Sequence, residues 1–533
     1  MQVVGYNFTP TCVVEWNGSP LTTTFITNQF LGVQIAASMV TASGSAQIIV
    51  KDTSTGAASS AATFPILSPG MATAGVVQLI SIAPDGSAAN GDSLVAASIS
   101  QTGRYVAFQS LASNLTPAPT DGYQQIYLRD TCIGATASCA PSTQAVSITY
   151  SGAAPNGHSW DSAVSSDGRY VAFDSAATNI LPQTGNCGVS MECVYLRDLC
   201  TGAAAGCVPS TMLVSVSADG TPIAGGLPSM TPDGRFVAYS GELTPGVDQV
   251  MVYDTCNGAP QGCAPSIFAD SLNPAGQLGN SNSFGQQLTP DGRFAAFVTY
   301  STNMPGPNQP PISTGQSFWV RDTCLGAAAP CSPTTTREDV ASDGTIANGD
   351  LDIDAAGSIS SNGRYVSVSS DATNLAPQNV NGHGNVYWRD TCTGAPAGCQ
   401  PSTILASVGN DGSVGNSMSH EQSMSQDGRF VVFTSLATNL VAFDAFPAGS
   451  WQEIYLRDTC AGAPAGCYPS TLRLAFTTPS PNEPGDFVPG NEPSGYPVIS
   501  GDGHYVVFLS SSTNFIPGAN VQNAMVYLAK TGF

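Results

Sequence analysis

One segment of about 65 residues recurs seven times along this 533-residue chain, and that recurrence limits the possible folds more than any other feature. Its signature is a turn followed by an apolar run: TGRYVAF at 102–108, DGRYVAF at 167–173, DGRFVAY at 233–239, DGRFAAF at 291–297, NGRYVSV at 362–368, DGRFVVF at 427–433 and DGHYVVF at 502–508. Asp-Gly or Asn-Gly between extended segments predicts a two-residue hairpin turn, because a type I′ turn needs positive φ at both central residues. A loop of variable length leads to a second strand, such as IYLRD at 126–130 or VYWRD at 386–390. A cysteine loop of the form T-C-x-G-A-x-x-x-C-x-P-S-T follows, and then a further strand such as MLVSV at 212–216. With the short segment before each turn, for example SAVS at 162–165, the unit holds four strands. Four antiparallel strands repeated at a fixed spacing give the architecture of a β-propeller.

The termini supply a second argument. The seventh unit stops at MVYLAKTGF, after its third strand, while an orphan strand, VVQLISI at 76–82, precedes the first unit. Pairing it beside residues 525–529 closes the ring and leaves no open edge. The expected fold is therefore all-β: a seven-bladed β-propeller of four-stranded blades over residues 76–533, sealed by an N-terminal strand, with a linker at 67–75 and a small immunoglobulin-like β-sandwich at 1–66. The repeats resemble TolB-type, WD-like propeller repeats, which share the S-x-D-G-R-Y-V-A-F core and the Y-x-x-D strand. That resemblance spans residues 76–533 and implies the fold; such propellers serve as binding platforms, assembly proteins and accessory domains of enzymes, so it implies no single activity.

Residues 1–66 have period-2 strands, an Asn-Gly turn and no helical face. They resemble an incomplete IPT/TIG immunoglobulin-like domain, with Gly5, Asn7 and Phe8 at the start of the match and Thr63, Phe64 and Ile66 at its end. About one or two strands precede that start in the family, and only four residues do here, so the resemblance implies a sandwich lacking its first strand and exposing an edge and a groove.

Cysteine usage bears on the compartment. Six pairs share the spacing C-x6-C: Cys132/Cys139, Cys200/Cys207, Cys256/Cys263, Cys324/Cys331, Cys392/Cys399 and Cys460/Cys467. Cys187/Cys193 is C-x5-C, and Cys12 is left over. Zinc sites want shorter spacings meeting a second pair or histidines, and the four histidines are scattered, so local disulfides and an oxidising compartment are expected. An extracellular or cell-surface location follows, with the chain read as a mature or truncated form, since no basic-then-apolar leader is visible. No apolar run is long enough for membrane insertion. A net charge of −22, from 37 acids against 15 bases, repels nucleic acid and anionic membranes. Cys12, alone in an exported chain, suggests either an intermolecular disulfide or a free buried thiol. Because it lies in the module expected to lack a strand, self or another surface protein is the expected partner, with a glycan as the other candidate.

Residues recurring in every blade serve the blade. On that ground Arg104, Arg169, Arg235, Arg293, Arg364 and Arg429, and Asp130, Asp198, Asp254, Asp322, Asp390 and Asp458, are expected to form structural ion pairs. No G-x-S-x-G, H-E-x-x-H or G-x-x-x-x-G-K-[ST] motif occurs, and no catalytic residue or enzyme activity is expected. Unrepeated candidates for a top-face binding site are Asn156, His158, Trp160 and Asp161 at one blade connection, and Trp451 on a long loop. A near-repeat of Asn90, Asn156, Asn280, Asn348, Asn416 and Asn491 reads as turn-shaping asparagine or as a polar ring at the channel mouth. No cofactor is expected. Calcium is the one candidate ion, since Asp350, Asp352 and Asp354 alternate as a calcium loop begins, although Ala355 and Ser361 depart from the pattern. The leading expectation is an extracellular, non-catalytic structural or adhesive scaffold that self-assembles through the N-terminal module. A glycan- or protein-binding propeller is the first rival, and a polysaccharide-active enzyme, needing two unrepeated carboxylates across the channel, the second.

Overall fold

The computed structural model describes residues 2–4, 7–28, 30–36, 39, 44–66, 77–95, 97–118, 120–182, 187, 191–305, 315–352, 357–378, 380, 382–441, 451–464, 467–475, 490–516 and 521–533. The expected linker at 67–75, and Gly5 and Asp354, lie outside these residues. Among the described residues there is no α-helix, and so none long and apolar enough to cross a membrane.

Residues 77–530 build seven four-stranded antiparallel sheets. We number them by their innermost strands: Ser98–Ile99, Ser159–Val164, Gly225–Met230, Ser283–Leu288, Ser358–Ile359, Ser419–Met424 and Ser494–Ile499 for sheets 1 to 7. In sheet 1 the second strand, Tyr105–Ser110, pairs with Gln125–Asp130 from Tyr105↔Asp130 to Ser110↔Gln125, and Ser142–Ala145 lies outside. Each sheet packs on the next, and sheet 7 packs back on sheet 1, so the set closes into a ring. Its seal is the strand Val77–Leu79, which pairs with Met525–Lys530 at Tyr527↔Leu79, Leu528↔Gln78 and Ala529↔Val77. The fold is a β-propeller.

The second and third strands of the sheets make the core. Both faces of these strands are covered by neighbouring sheets, which is why YVAF and IYLRD read as near-continuous apolar runs. The Tyr of the third strand is fully buried in five sheets (Tyr127, Tyr195, Tyr387, Tyr455, Tyr527), and Trp319 takes its place in sheet 4. Tyr127 Oη donates to the carbonyl of Ala112, and Tyr387 to that of Ala372, so these two buried hydroxyls are satisfied in the loop that precedes their strand.

The hairpin turns differ from the expected two-residue form. Ser165 and Tyr170 close a four-residue loop, the amide of Gly168 donates to Ser165 O, and Gly168 alone has positive φ (67°). Side chains explain the difference: Asp167 Oδ1 accepts from Ser165 Oγ at 2.6 Å and from the Arg169 amide at 3.0 Å, which fixes Asp167 outside the left-handed region. Glycine is needed there for a second reason, since a Cβ would lie 2.5 Å from the Tyr105 ring of the preceding sheet.

Residues 2–66 form two further sheets, ordered Gln2–Val4, Phe30–Val33, Thr23–Thr27 and Ser19–Pro20, Cys12–Trp16, Gly44–Asp52, Ala62–Ile66. Val14, Trp16, Leu31, Val33, Ala46 and Ile48 fill the core between them. The residues ahead of position 5, expected to be too few for a strand, do pair, with Gln2 opposite Gly32 and Val4 opposite Phe30. The open, solvent-facing edge is Thr23–Thr27, where Phe25 and Ile26 are exposed. Cys12 is a free thiol, buried in this core, and its Sγ accepts from the Thr9 amide.

Candidate functional site

The repeated charges lie at the end of the ring that holds the Asp-Gly turns. Arg104 grips Asp130 with two parallel bonds, Nε to Oδ1 at 3.0 Å and Nη2 to Oδ2 at 2.8 Å, while its guanidinium stacks 4.8 Å over the Tyr105 ring. Asp130 Oδ1 also accepts from the amide of Cys132, the first cysteine of the loop, at 2.8 Å. Burial pushes Asp130 upward, but the bonds from Arg104 and the Cys132 amide outweigh it and hold the carboxyl below its ordinary range. Arg169/Asp198, Arg235/Asp254, Arg293/Asp322, Arg364/Asp390 and Arg429/Asp458 repeat the pair. All seven expected disulfides form: Cys132–Cys139, Cys187–Cys193, Cys200–Cys207, Cys256–Cys263, Cys324–Cys331, Cys392–Cys399 and Cys460–Cys467. Their number indicates an oxidising environment. An Asp and two cysteines converge at each repeated loop, but those sulfurs are bonded to each other and offer no thiolate to a metal.

The asparagines are clamps. Asn156 takes the side-chain carbonyl of Asn179 on its amide, donates to Thr178 Oγ1 at 2.8 Å and accepts from the Thr178 amide at 2.8 Å. Asn90, Asn280, Asn348, Asn416 and Asn491 repeat this, each tying an inter-sheet connection to a loop of the following sheet. Of the two readings, turn-shaping is the one that accounts for these bonds.

The channel is the first place where the sheets stop being equivalent. Their innermost strands enclose a cavity of about 460 Å³. Five of these strands carry a β-bulge, which puts Asp161, Leu227, Gly285, Glu421 and Tyr496 at positive φ and turns them onto the channel wall. Two bulges are pinned by a carboxylate of the preceding sheet. Asp174 Oδ2 accepts from the Leu227 amide at 3.0 Å, and Glu421 Oε2 accepts from the Tyr496 amide at 2.8 Å and from Thr434 Oγ1 at 2.7 Å. At sheets 3 and 4 neutral groups do the same work: Ser240 Oγ donates to Gln286, whose amide donates to Leu227 O.

Sheet 2 concentrates the acids. Asp161, Asp174 and Glu192 share one region, and burial first, then mutual repulsion, pushes Asp174 well up and raises Glu192, while Asp161 is raised by burial. Gln124 Nε2 has no hydrogen-bond partner, nor has either amide atom of Gln109, which stands in sheet 1 at the position of Asp174. Beside them His158 stacks on Trp160 (5.8 Å) and meets the Tyr123 ring edge-on (5.2 Å). His158 Nδ1 accepts from the Gln124 amide at 3.1 Å, which leaves the proton on Nε2 when the ring is neutral. The structure thus brings His158, Trp160 and Asp161 together, commits Asn156 to its clamp, and places Trp451, 38% exposed, on sheet 6 ahead of the strand Glu453–Asp458.

A second cavity, of about 420 Å³, opens between sheets 4, 5 and 6 at the end away from the disulfides. Asp350 and Asp352 line it with Asp371 and His420, and His420 Nδ1 lies 3.3 Å from Asp352 Oδ2. Sequence reasoning missed Asp174, Glu192, Glu421 and His420. The signal available was departure from the repeat: Asp174 sits in a column otherwise held by Gln109, Ser240, Val298, Ser369, Thr434 and Leu509.

No known family profile and no curated protein matches the chain. Solved structures similar in fold include TolB from Acinetobacter baumannii (13% identity, 68% of this chain and 79% of that chain covered, TM-score 0.31). The β-propeller domain of the trilobed protease from Pyrococcus furiosus shares 11% identity over 81% of this chain and 95% of that one, TM-score 0.40. An oligogalacturonate lyase from Vibrio parahaemolyticus shares 10% over 91% and 93%, TM-score 0.40. At such scores the assignment to β-propellers rests on the closed ring of four-stranded sheets itself.

Proposed function

We propose that the chain is an exported, seven-bladed, TolB-like propeller that binds a ligand at cavities lined by unrepeated residues, without transforming it. One observation carries this reading: the repeated staples and clamps pair their polar groups with one another, while unrepeated residues line two open cavities, among them the Ser229 hydroxyl and Gln316 Oε1, buried atoms with no hydrogen-bond partner. A buried polar atom left unpaired costs roughly 1–3 kcal/mol, so a ligand that supplies the missing partner gains accordingly. The enzyme reading asks for two unrepeated carboxylates across the channel, and Asp161 and Glu421, three sheets apart on its wall, are such a pair; we favour binding because Glu421 Oε2 already accepts from the Tyr496 amide and Thr434 Oγ1. Glycan and protein arrays test the proposal: saturable binding by the full chain, weakened by Trp160→Ala and Asp161→Asn, is expected, and no binding on either array overturns it.

A second reading, an assembling scaffold, is favoured by the exposed edge Thr23–Thr27 of the N-terminal module, which we infer to be an immunoglobulin-like sandwich of IPT/TIG type. An edge strand with Phe25 and Ile26 exposed on it is a template for strand addition by a second copy or a surface partner. Light scattering on the full chain decides: large oligomers abolished by Ile26→Lys support it, and a monomer at all concentrations removes it.

A further inference from the structure

The chain segregates its charge. Its 15 basic residues are 13 arginines, Lys51 and Lys530. Six arginines are in the staples, and Arg129, Arg197, Arg321, Arg389 and Arg457 lie one residue from the strand-end Asp at that same end. Arg337 and Arg473 are buried against Asp339 and Glu453, both at 2.6 Å. Lys530 ends a third strand at the turn end, and Lys51 belongs to the N-terminal module. The opposite end of the ring therefore carries acids with no arginine or lysine free to neutralise them.

The 420 Å³ cavity sits at that acidic end. Asp350 and Asp371 are exposed on its wall, and Asp352 faces it beside His420. A second feature points to a ligand. Gln316, 5% exposed, donates through Nε2 to Tyr300 Oη at 2.8 Å, while its other amide atom, Oε1, is buried with no hydrogen-bond partner. It is an acceptor without a donor, in a cavity whose charged wall residues are Asp350, Asp352 and Asp371 beside His420. Tyr300, 41% exposed, adds a ring against which a cation gains energy. The volume exceeds what a bare ion fills and suits a side-chain-sized ligand.

We propose that this cavity binds an alkylammonium group, from a lysine of a basic peptide segment or from a free polyamine; the inference rests on the recognition reading above. Asp350 and Asp371 neutralise the charge, Gln316 Oε1 accepts an N–H, and the Tyr300 ring covers the methylene stem.

Calorimetry on the full chain tests this with three probes: a blocked tri-lysine peptide, the same peptide with acetylated side chains, and spermidine. Saturable binding of tri-lysine or spermidine is expected, with the acetylated peptide silent. Asp350→Asn with Asp371→Asn should weaken binding about tenfold, Tyr300→Ala about threefold, and Asp121→Asn, an exposed acid elsewhere, not at all. Unchanged melting temperatures show that the variants fold. Stronger binding of spermidine than of tri-lysine assigns a free polyamine; the reverse assigns a peptide. Silence of both amines, equal binding of the acetylated peptide, or equal weakening by Asp121→Asn overturns the inference, as does saturation by calcium alone. If the amines fail while the arrays are positive, the propeller binds something else and only this site is lost.

Discussion

Asp270 shows what one buried carboxyl does to the whole ring. It is fully buried, Arg321 Nε stands 3.8 Å away, and its Oδ2 has no hydrogen-bond partner. Burial pushes it up to about 7, more than the Arg321 charge draws it down. A folded value above the unfolded one means that the folded state binds the proton more tightly. The stability gained is present in full below about pH 4 and is lost as the pH rises through 7. Asp174 and Glu192 are raised for the same first reason, so they add in the same direction. Urea unfolding should therefore give lower stability at pH 8 than at pH 5, and Asp270→Asn should recover on the order of 2 kcal/mol of that loss. A variant that is less stable than the parent at both pH values would show that the Arg321 pair, not the buried charge, dominates. The staple carboxylates run the other way. Asp130 and Asp198 are held below their unfolded range, so their contribution is present at neutral pH and lost as acid reaches them, beneath pH 4. Arg293→Lys keeps a charge but loses the two-pronged grip on Asp322 and the stacking on Phe294, and should cost about 1 kcal/mol in the same unfolding experiment.

The disulfide loop is the element on which those residues depend. Each of the six repeated rings joins cysteines seven positions apart, and a loop that short removes roughly 2.5 kcal/mol of unfolded-chain entropy. Replacing Cys256 and Cys263 together by Ser should lower the melting temperature by a few degrees and leave the other sheets folded; calorimetry checks the first and intact-mass counting of remaining disulfides the second. This element was legible in the sequence because its chemistry is local: cysteine spacing, the preceding Asp and the following Pro-Ser-Thr all lie within one repeat. Strand pairing and the closing strand were legible for the same reason, since the repeat supplies the register. The turn type was not, because two-residue geometry was read from Asp-Gly alone, and the Ser165 hydroxyl that reshapes the loop acts through a side-chain bond to Asp167. The candidate sites were half legible. Asp161 and Asp350 could be singled out as unrepeated, but Glu421 and His420 reach their cavities, and Asp174 meets the Leu227 bulge, through pairings between neighbouring sheets that no single repeat encodes.

At the scale of the molecule, the ring has one non-covalent seam. Six sheets are built from consecutive strands, whereas sheet 7 takes its outer strand, Val77–Leu79, from the other end of the chain. The seam is more than three ladder pairs. The amide of Ile80 donates to Val526 O, the amide of Val526 donates to Ser81 Oγ, and Asp92 Oδ1 accepts from Ala524. Val77, Leu79 and Ile80 bury apolar side chains in the same core as Val506, Phe508 and Tyr527. Removing that segment strips one outer strand, leaves Met525–Lys530 with an unpaired edge, and forfeits the burial of three apolar side chains, each worth roughly 1.5–3 kcal/mol. Two truncations separate the seam from everything before it. A chain starting at residue 76 keeps the strand and should melt as a cooperative ring close to the temperature of the full propeller. One starting at residue 83 should melt far lower and aggregate through the exposed edge, as followed by calorimetry and light scattering. Supplying a peptide with the sequence of 76–82 should restore much of the lost stability, because the missing piece is a strand that the remaining sheet already specifies. If both truncations melt alike, closure contributes nothing measurable, and the ring is held by its sheet-to-sheet packing alone.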